Sequence, residues 1–109
     1  KGLKLIYCLN DVYPTAKYFD NRTWEGVKGN DAIVDAVVKA YRDHPAVMAW
    51  YLNDELSQHF MPQLEAHQRW VAEEDPDHPT WVVLYQFREV AAYLKTFDAI
   101  GNVSVFWLP

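Results

Sequence analysis

The segment PAVMAWYLNDEL, Pro45 to Leu56, sends eight mostly apolar residues straight into Asn53, Asp54 and Glu55. Its apolar side chains fall on both alternation faces, the pattern of a strand covered on both sides, which is the habit of parallel sheets in α/β proteins. In such sheets ligands gather at the carboxyl ends of the strands. The run therefore predicts a buried parallel strand that delivers three polar residues to the end of the sheet where chemistry is done.

Working outward, LKLIYCLN (Leu3 to Asn10) is another strand of the same kind, and residues 11–30, rich in Pro, Gly, Asn and Asp, read as a long loop. Asn30 or Asp31 is placed to cap a helix carrying Ile33, Val34, Val37, Val38 and Tyr41, ending near Asp43 because Pro45 disfavours α geometry in the residue before it. Pro62 suits the first turn of a second helix that ends near Glu74. TWVVLYQ (Thr80 to Gln86) is a third strand, REVAAYLKTF a shorter helix, and DAIGNVSVFWLP closes with a fourth strand. The tripeptide Asp-His-Pro occurs at 43–45 and again at 77–79, each time between a helix and a strand, as in a repeated unit.

Strands alternating with helices, and no Asn-Gly hairpin signal, give an α/β fold of parallel β/α units with right-handed crossovers. Two architectures fit: a small doubly wound sheet, or about half of a TIM (β/α)8 barrel, which normally needs about 250 residues. The 109 residues make one domain, 1–109. Because the chain opens on Lys1, already close to a strand, it is expected to be a piece of a longer protein.

Half of the residues are hydrophobic and 16% aromatic, so a packed core is affordable in composition. Fifteen acids against ten scattered bases give a net charge of −5, which argues against nucleic acid or an anionic membrane as partner. No apolar run approaches the roughly 20 residues of a membrane helix. Cys8 sits in an apolar run and reads as a small buried hydrophobe. Glu55 and His59 stand four apart, but two ligands do not make a metal site, and His44 and His78 read as turn residues beside prolines. There is no phosphate-binding glycine loop, and no cofactor or metal is expected. Asn21–Thr23 and Asn102–Ser104 match the glycosylation pattern by chance, the second lying in an expected buried strand.

Strict alternation would set Val47, Ala49, Tyr51, Asn53 and Glu55 on one face, and Met48, Trp50, Leu52 and Asp54 toward the helices. On this register Glu55 is the reactive carboxyl and Asp54 a supporting one, whose repulsion favours one protonated acid near neutral pH. The competing explanation is that the acidic pair caps the next helix.

YRDHPAVMAWYLNDEL resembles the fourth-strand segment of (β/α)8 glycoside hydrolases of the large retaining clan, in the branch where a helix ends in HPA and the strand reads like WYLxDEP. EEDPDHPT is similar to the approach to strand five of those families, and YLKTFDAIG to their approach to strand six. The resemblance implies that the chain covers strands three to six, with Glu55 as general acid/base and the nucleophile on strand seven, outside this chain. It departs from the clan at Asp54, where Asn is usual, and at Leu56, where Pro is usual; Asn53 is the candidate to take over the missing Asn's sugar contact. Asn10, Tyr85 and Trp107, at the ends of other strands, are the remaining candidates for a carbohydrate substrate, although ordinary packing also accounts for aromatics there. A barrel of the same descent that binds carbohydrate or protein without hydrolysis is the alternative. An isolated half barrel, with open edges, is expected to self-associate.

Overall fold

A parallel sheet with its helices packed against it sets how this chain is layered. The computed structural model describes residues 2–9, 23–84 and 87–102. Along the chain they form β1 (Leu5–Cys8), β2 (Thr23–Trp24), β3 (Val27–Lys28), α1 (Asn30–Tyr41), β4 (Val47–Asp54), α2 (Met61–Glu74), β5 (Thr80–Leu84) and β6 (Ala99–Asn102). The main sheet has four strands in the order β1-β4-β5-β6, each pair parallel. A doubly wound sheet needs a reversal of strand order, and among the described strands there is none. With every step in one direction, right-handed connections fall on one side of the sheet. The packing agrees: α1 lies against α2, and buried residues of α1, α2, β4 and β5 join Tyr93 in a single apolar cluster.

α1 forms where the apolar spacing predicts, burying Ile33, Val34, Val37 and Val38. Its cap differs from expectation. Gly29, at φ 92°, is the N-cap residue, since this geometry suits a residue without Cβ. The side-chain oxygens of Asn30 and Asp31 instead accept from the backbone N–H of the following residue, both at 2.9 Å. α2 starts at Met61 with Pro62 in its first turn and ends at Glu74.

Two segments depart from the sequence reading. Within the expected loop, β2 and β3 pair antiparallel as a hairpin, and Glu25 (φ 47°) with Gly26 (φ 84°) supplies the two left-handed residues of its tight turn. A Glu in the first turn position is unusual, so the hairpin carried no Asn-Gly signature. Trp24 packs its ring edgewise on Tyr41, 6.2 Å between centroids, and so holds the hairpin against α1. The short helix expected over REVAAYLKTF is a 3-10 helix, Phe87–Tyr93. So few residues nucleate an α-helix poorly, and the tighter turn brings the Tyr93 hydroxyl to the Leu56 carbonyl at 2.7 Å.

The two Asp-His-Pro turns do structural work. His44 accepts from the Ala46 N–H through Nδ1, 3.1 Å away. At the second turn the buried Asp75 carboxylate binds Trp50 Nε1 at 2.8 Å, His78 Nδ1 at 2.7 Å and the Asp77 N–H at 3.2 Å. Arg42 reaches the Glu74 carbonyl at 2.6 Å, so the ends of α1 and α2 are tied together. Among the described residues no helix is long and apolar enough to cross a membrane.

Burial raises the Asp75 pKa, but the hydrogen bonds from Trp50 and His78, the His78 charge and the Asp77 N–H more than offset it, so the net shift is downward. Asp75→Ala strands the Trp50 donor in the core and is expected to cost about 2–3 kcal/mol, read as a lower urea midpoint with unchanged slope. His67 is fully buried, with Nε2 accepting from the Asn30 side-chain amide at 3.3 Å, and burial lowers its pKa to about 4 although Asp31 opposes the shift. A depressed histidine leaves the unfolded chain as the better proton acceptor, so stability falls as pH drops from about 6.5 to about 4. The loss is of the order of 3 kcal/mol, and urea titrations of His67→Gln across that range should be flatter.

Candidate active site

Trp50 fixes the faces of the central strand. Its Nε1–H reaches Asp75 at the end of α2, and its ring meets Tyr7, which stacks on Tyr41 of α1 at 5.3 Å. Tyr7 and Trp50 therefore point toward the helices, and Tyr7 is core packing rather than a site residue. The neighbours Ile6, Cys8, Ala49 and Tyr51 face the other side of the sheet. Trp81 pairs with Tyr51 on that face, and Gly101 lies beyond it on β6. A Cβ on Gly101 would stand 2.7 Å from Trp81 Cζ2 and 3.2 Å from Val83 Cγ2, so the indole lies directly over the glycine. Cys8 is exposed, contrary to the expectation of a buried hydrophobe.

The alternation expected along β4 holds from Ala49 to Leu52 and then breaks. Pairing with β5 passes from Tyr51 opposite Trp81 to Asn53 opposite Val82, leaving Leu52 as an extra residue. Leu52 and Asn53 are in consequence both buried, at 1% and 0% exposure. Asp54 comes round to the open side, where it hydrogen-bonds with the Tyr51 hydroxyl. Asn53 and Asp54 have thus exchanged the faces that strict alternation assigns, because one inserted residue shifts everything after it. A second irregularity, where β1 passes from Val47 to Ala49, leaves Met48 48% exposed instead of in the helix layer and Val47 in the core cluster.

Glu55 ends the strand in a left-handed conformation, φ 58°, with its N–H on the Val83 carbonyl at 3.0 Å. For a residue with a Cβ this geometry costs roughly 1–2 kcal/mol and persists because the surroundings hold it. Those surroundings are visible. Asn53 Oδ1 accepts from the Leu56 N–H at 2.8 Å, and Tyr93 donates to the Leu56 carbonyl. The Asn53 side-chain N–H2 group has no hydrogen-bond partner among the described residues.

The acidic pair does not act as a helix cap. The 3-10 helix Gln58–Phe60 begins after Ser57 and α2 after Phe60, and neither has a side-chain cap. Instead Asp54 hydrogen-bonds with one phenol: the Tyr51 pKa is raised first by burial, then by its hydrogen bond to Asp54 and that residue's charge, with the charges of Cys8 and Glu55 adding to the same effect. Tyr51, Asp54, Glu55 and Cys8 thus converge at the carboxyl ends of β1 and β4. Sequence reasoning named the two acids and missed that Tyr51 would hold one of them. The bulge that brings them together has no signature in apolar alternation.

Of the other candidates, Asn10, Tyr85 and Trp107 lie outside the described residues. Asn53 is buried on the helix side of β4 rather than beside Glu55 on the open face. His59 is exposed with its ring edge-on to Phe60, 5.2 Å between centroids. Among the described residues no group of three or more His, Cys, Asp or Glu side chains could hold a metal ion. No protein-family model matches the chain, and no curated protein matches it in sequence.

The Tyr51–Asp54 contact has a direct spectroscopic consequence. In protein carrying ring-labelled tyrosine, the Tyr51 resonance should titrate at higher pH than an exposed phenol. Asp54→Asn should bring that titration down while leaving the part due to burial.

Proposed function

We propose that this chain is part of a (β/α)8-barrel glycoside hydrolase that cleaves O-glycosidic bonds by a retaining, two-carboxylate mechanism. The observation that carries the reading is the end of β4: a bulged strand in a sheet without order reversal brings Tyr51, Asp54 and a left-handed Glu55 to the carboxyl edge. Strand order favours the barrel over a doubly wound domain, since about half of a TIM barrel has this consecutive order with helices on one side. The wording of Tyr41–Leu56 and of Glu73–Thr80, which resembles the clan's fourth strand and the approach to its fifth, supports the same assignment.

On this reading Glu55 is the acid/base. It protonates the leaving glycosidic oxygen and, in the second step, takes a proton from the water that attacks the glycosyl intermediate. Its neighbour Asp54, tethered by Tyr51, is the supporting carboxylate that keeps negative charge beside it. The nucleophile, which must stand about 5 Å from the acid/base, comes from a strand outside this chain. Trp81, whose indole lies over Gly101, is the aromatic of the open face that would meet a sugar ring. The second reading is a barrel that binds carbohydrate without cleaving it. Asp54 in the position where the clan usually has Asn favours that reading.

A polypeptide extended through the remaining strands separates the two on aryl glycosides and oligosaccharides. Glu55→Ala should lower kcat/KM by about 10²–10⁴ on substrates with poor leaving groups and much less on activated aryl glycosides, which need little protonation. Hydrolysis indifferent to Glu55 would remove it from the mechanism. Carbohydrate binding without turnover would establish the second reading.

A further inference from the structure

We propose that Tyr93 is a positioning residue for Glu55, acting together with Asn53 through the backbone of Leu56. Its part in catalysis rests on the glycosidase reading, whereas the held geometry on which that part depends does not.

The Glu55 side chain is exposed, so the direction in which it leaves the strand is set by the backbone torsions of that residue. Those torsions relate two rigid peptide planes that meet at its Cα. The first plane is fixed by the Glu55 N–H, which donates to the Val83 carbonyl of β5 at 3.0 Å. The second is fixed by the Leu56 N–H, which donates to Oδ1 of the buried Asn53 at 2.8 Å. The plane beyond Leu56 presents its carbonyl to the Tyr93 hydroxyl at 2.7 Å. Each peptide from Asp54 to Ser57 is thereby held.

Tyr93 is itself immobilised. It is 1% exposed within the core cluster, and its carbonyl accepts from both the N–H and the hydroxyl of buried Thr96, at 2.8 and 2.7 Å. A phenylalanine would fill the same space, so what the hydroxyl adds at this end of the side chain is the bond to Leu56, 37 residues away in the chain. That bond ties the connection after β4 to the connection after β5.

Glu55 is a costly choice for the place it occupies. A turn at φ 58° is easiest for glycine, and a residue carrying Cβ relaxes toward the β region once its restraints are removed. A glutamate kept there, with a restraint on either side, is a carboxylate aimed by its backbone. Loss of the Tyr93 hydroxyl frees the plane after Leu56 and lets that aim drift, and a misplacement of about 1 Å is enough to slow a reaction about a hundredfold.

Tyr93→Phe, made in the polypeptide extended through the remaining strands, separates the hold from the aim. In hydrogen exchange the Glu55 and Leu56 amides should exchange about tenfold faster or more than in the parent, with the Trp50 amide in the middle of β4 unchanged. In kinetics kcat should fall about ten- to a hundredfold on glycosides with poor leaving groups, with KM within about twofold, and hardly at all on activated aryl glycosides. Because Tyr93 acts through Glu55, the same change in a Glu55→Ala background should cost nothing further. A loss of equal size for every leaving group, or one that persists without Glu55, overturns the positioning role, since a merely weakened fold behaves in that way. Unchanged amide exchange overturns the hold itself. If the parent hydrolyses nothing, or hydrolyses indifferently to Glu55, the catalytic role falls with the glycosidase reading, and faster exchange in Tyr93→Phe then shows that the reading failed and not the hold.

Discussion

The hydrogen bond from the Trp50 indole to the Asp75 carboxylate, 2.8 Å long and buried, orients the rest of the molecule. It joins the middle of the central strand to the turn that ends α2 and begins β5. Because Trp50 is held on the helix side, Tyr7 beside it must also face the helices, and Cys8 and Tyr51 must face the other way. His78 and the Asp77 N–H complete the carboxylate's partners, so a buried charge is paired on every available side instead of being left to desolvation. The turn is thus more than a connection: it is where the helix layer is registered against the sheet.

Toward its carboxyl end β4 departs from regularity at Leu52, and the acidic strand end follows from that departure. Without the inserted residue Asp54 would meet α2 and lie in the core, where a carboxylate would require a partner of its own. With it, a neutral amide, Asn53, takes the buried position and closes on the Leu56 N–H, while the charge is moved to the exposed side. The left-handed Glu55 then turns the chain out of the sheet within one residue. Two local costs, a bulge and a positive φ, are together what place two carboxylates and a phenol at one strand end.

How much of this can be read from the sequence follows from the physics of each signal. Apolar runs on both faces reveal parallel strands because burial on two sides leaves no polar alternation. Ile33, Val34, Val37 and Val38 reveal α1 because a helix buries one stripe. Pro62 and the two Asp-His-Pro turns mark boundaries because proline limits its own backbone and its neighbour's. The hairpin at Glu25 and Gly26 was hidden, since glutamate seldom takes a left-handed turn position and gives no warning when it does. The site was legible as residues and not as geometry. Asp54 and Glu55 announce themselves by ending an apolar strand, yet which of them shares a face with Tyr51 depends on a single inserted residue. Alternation is a parity argument, and an insertion reverses parity without changing composition.

The same reasoning explains why the consecutive strand order matters more than the number of strands. Right-handed connections that always step the same way cover one face only, and each added unit enlarges the uncovered face along with the covered one. In the barrel reading proposed above, that uncovered face is enclosed when the first and last strands meet. The open face of this chain therefore has residues suited to an enclosed space, an indole resting on a glycine and small side chains between, while its polar residues are held back to the carboxyl edge.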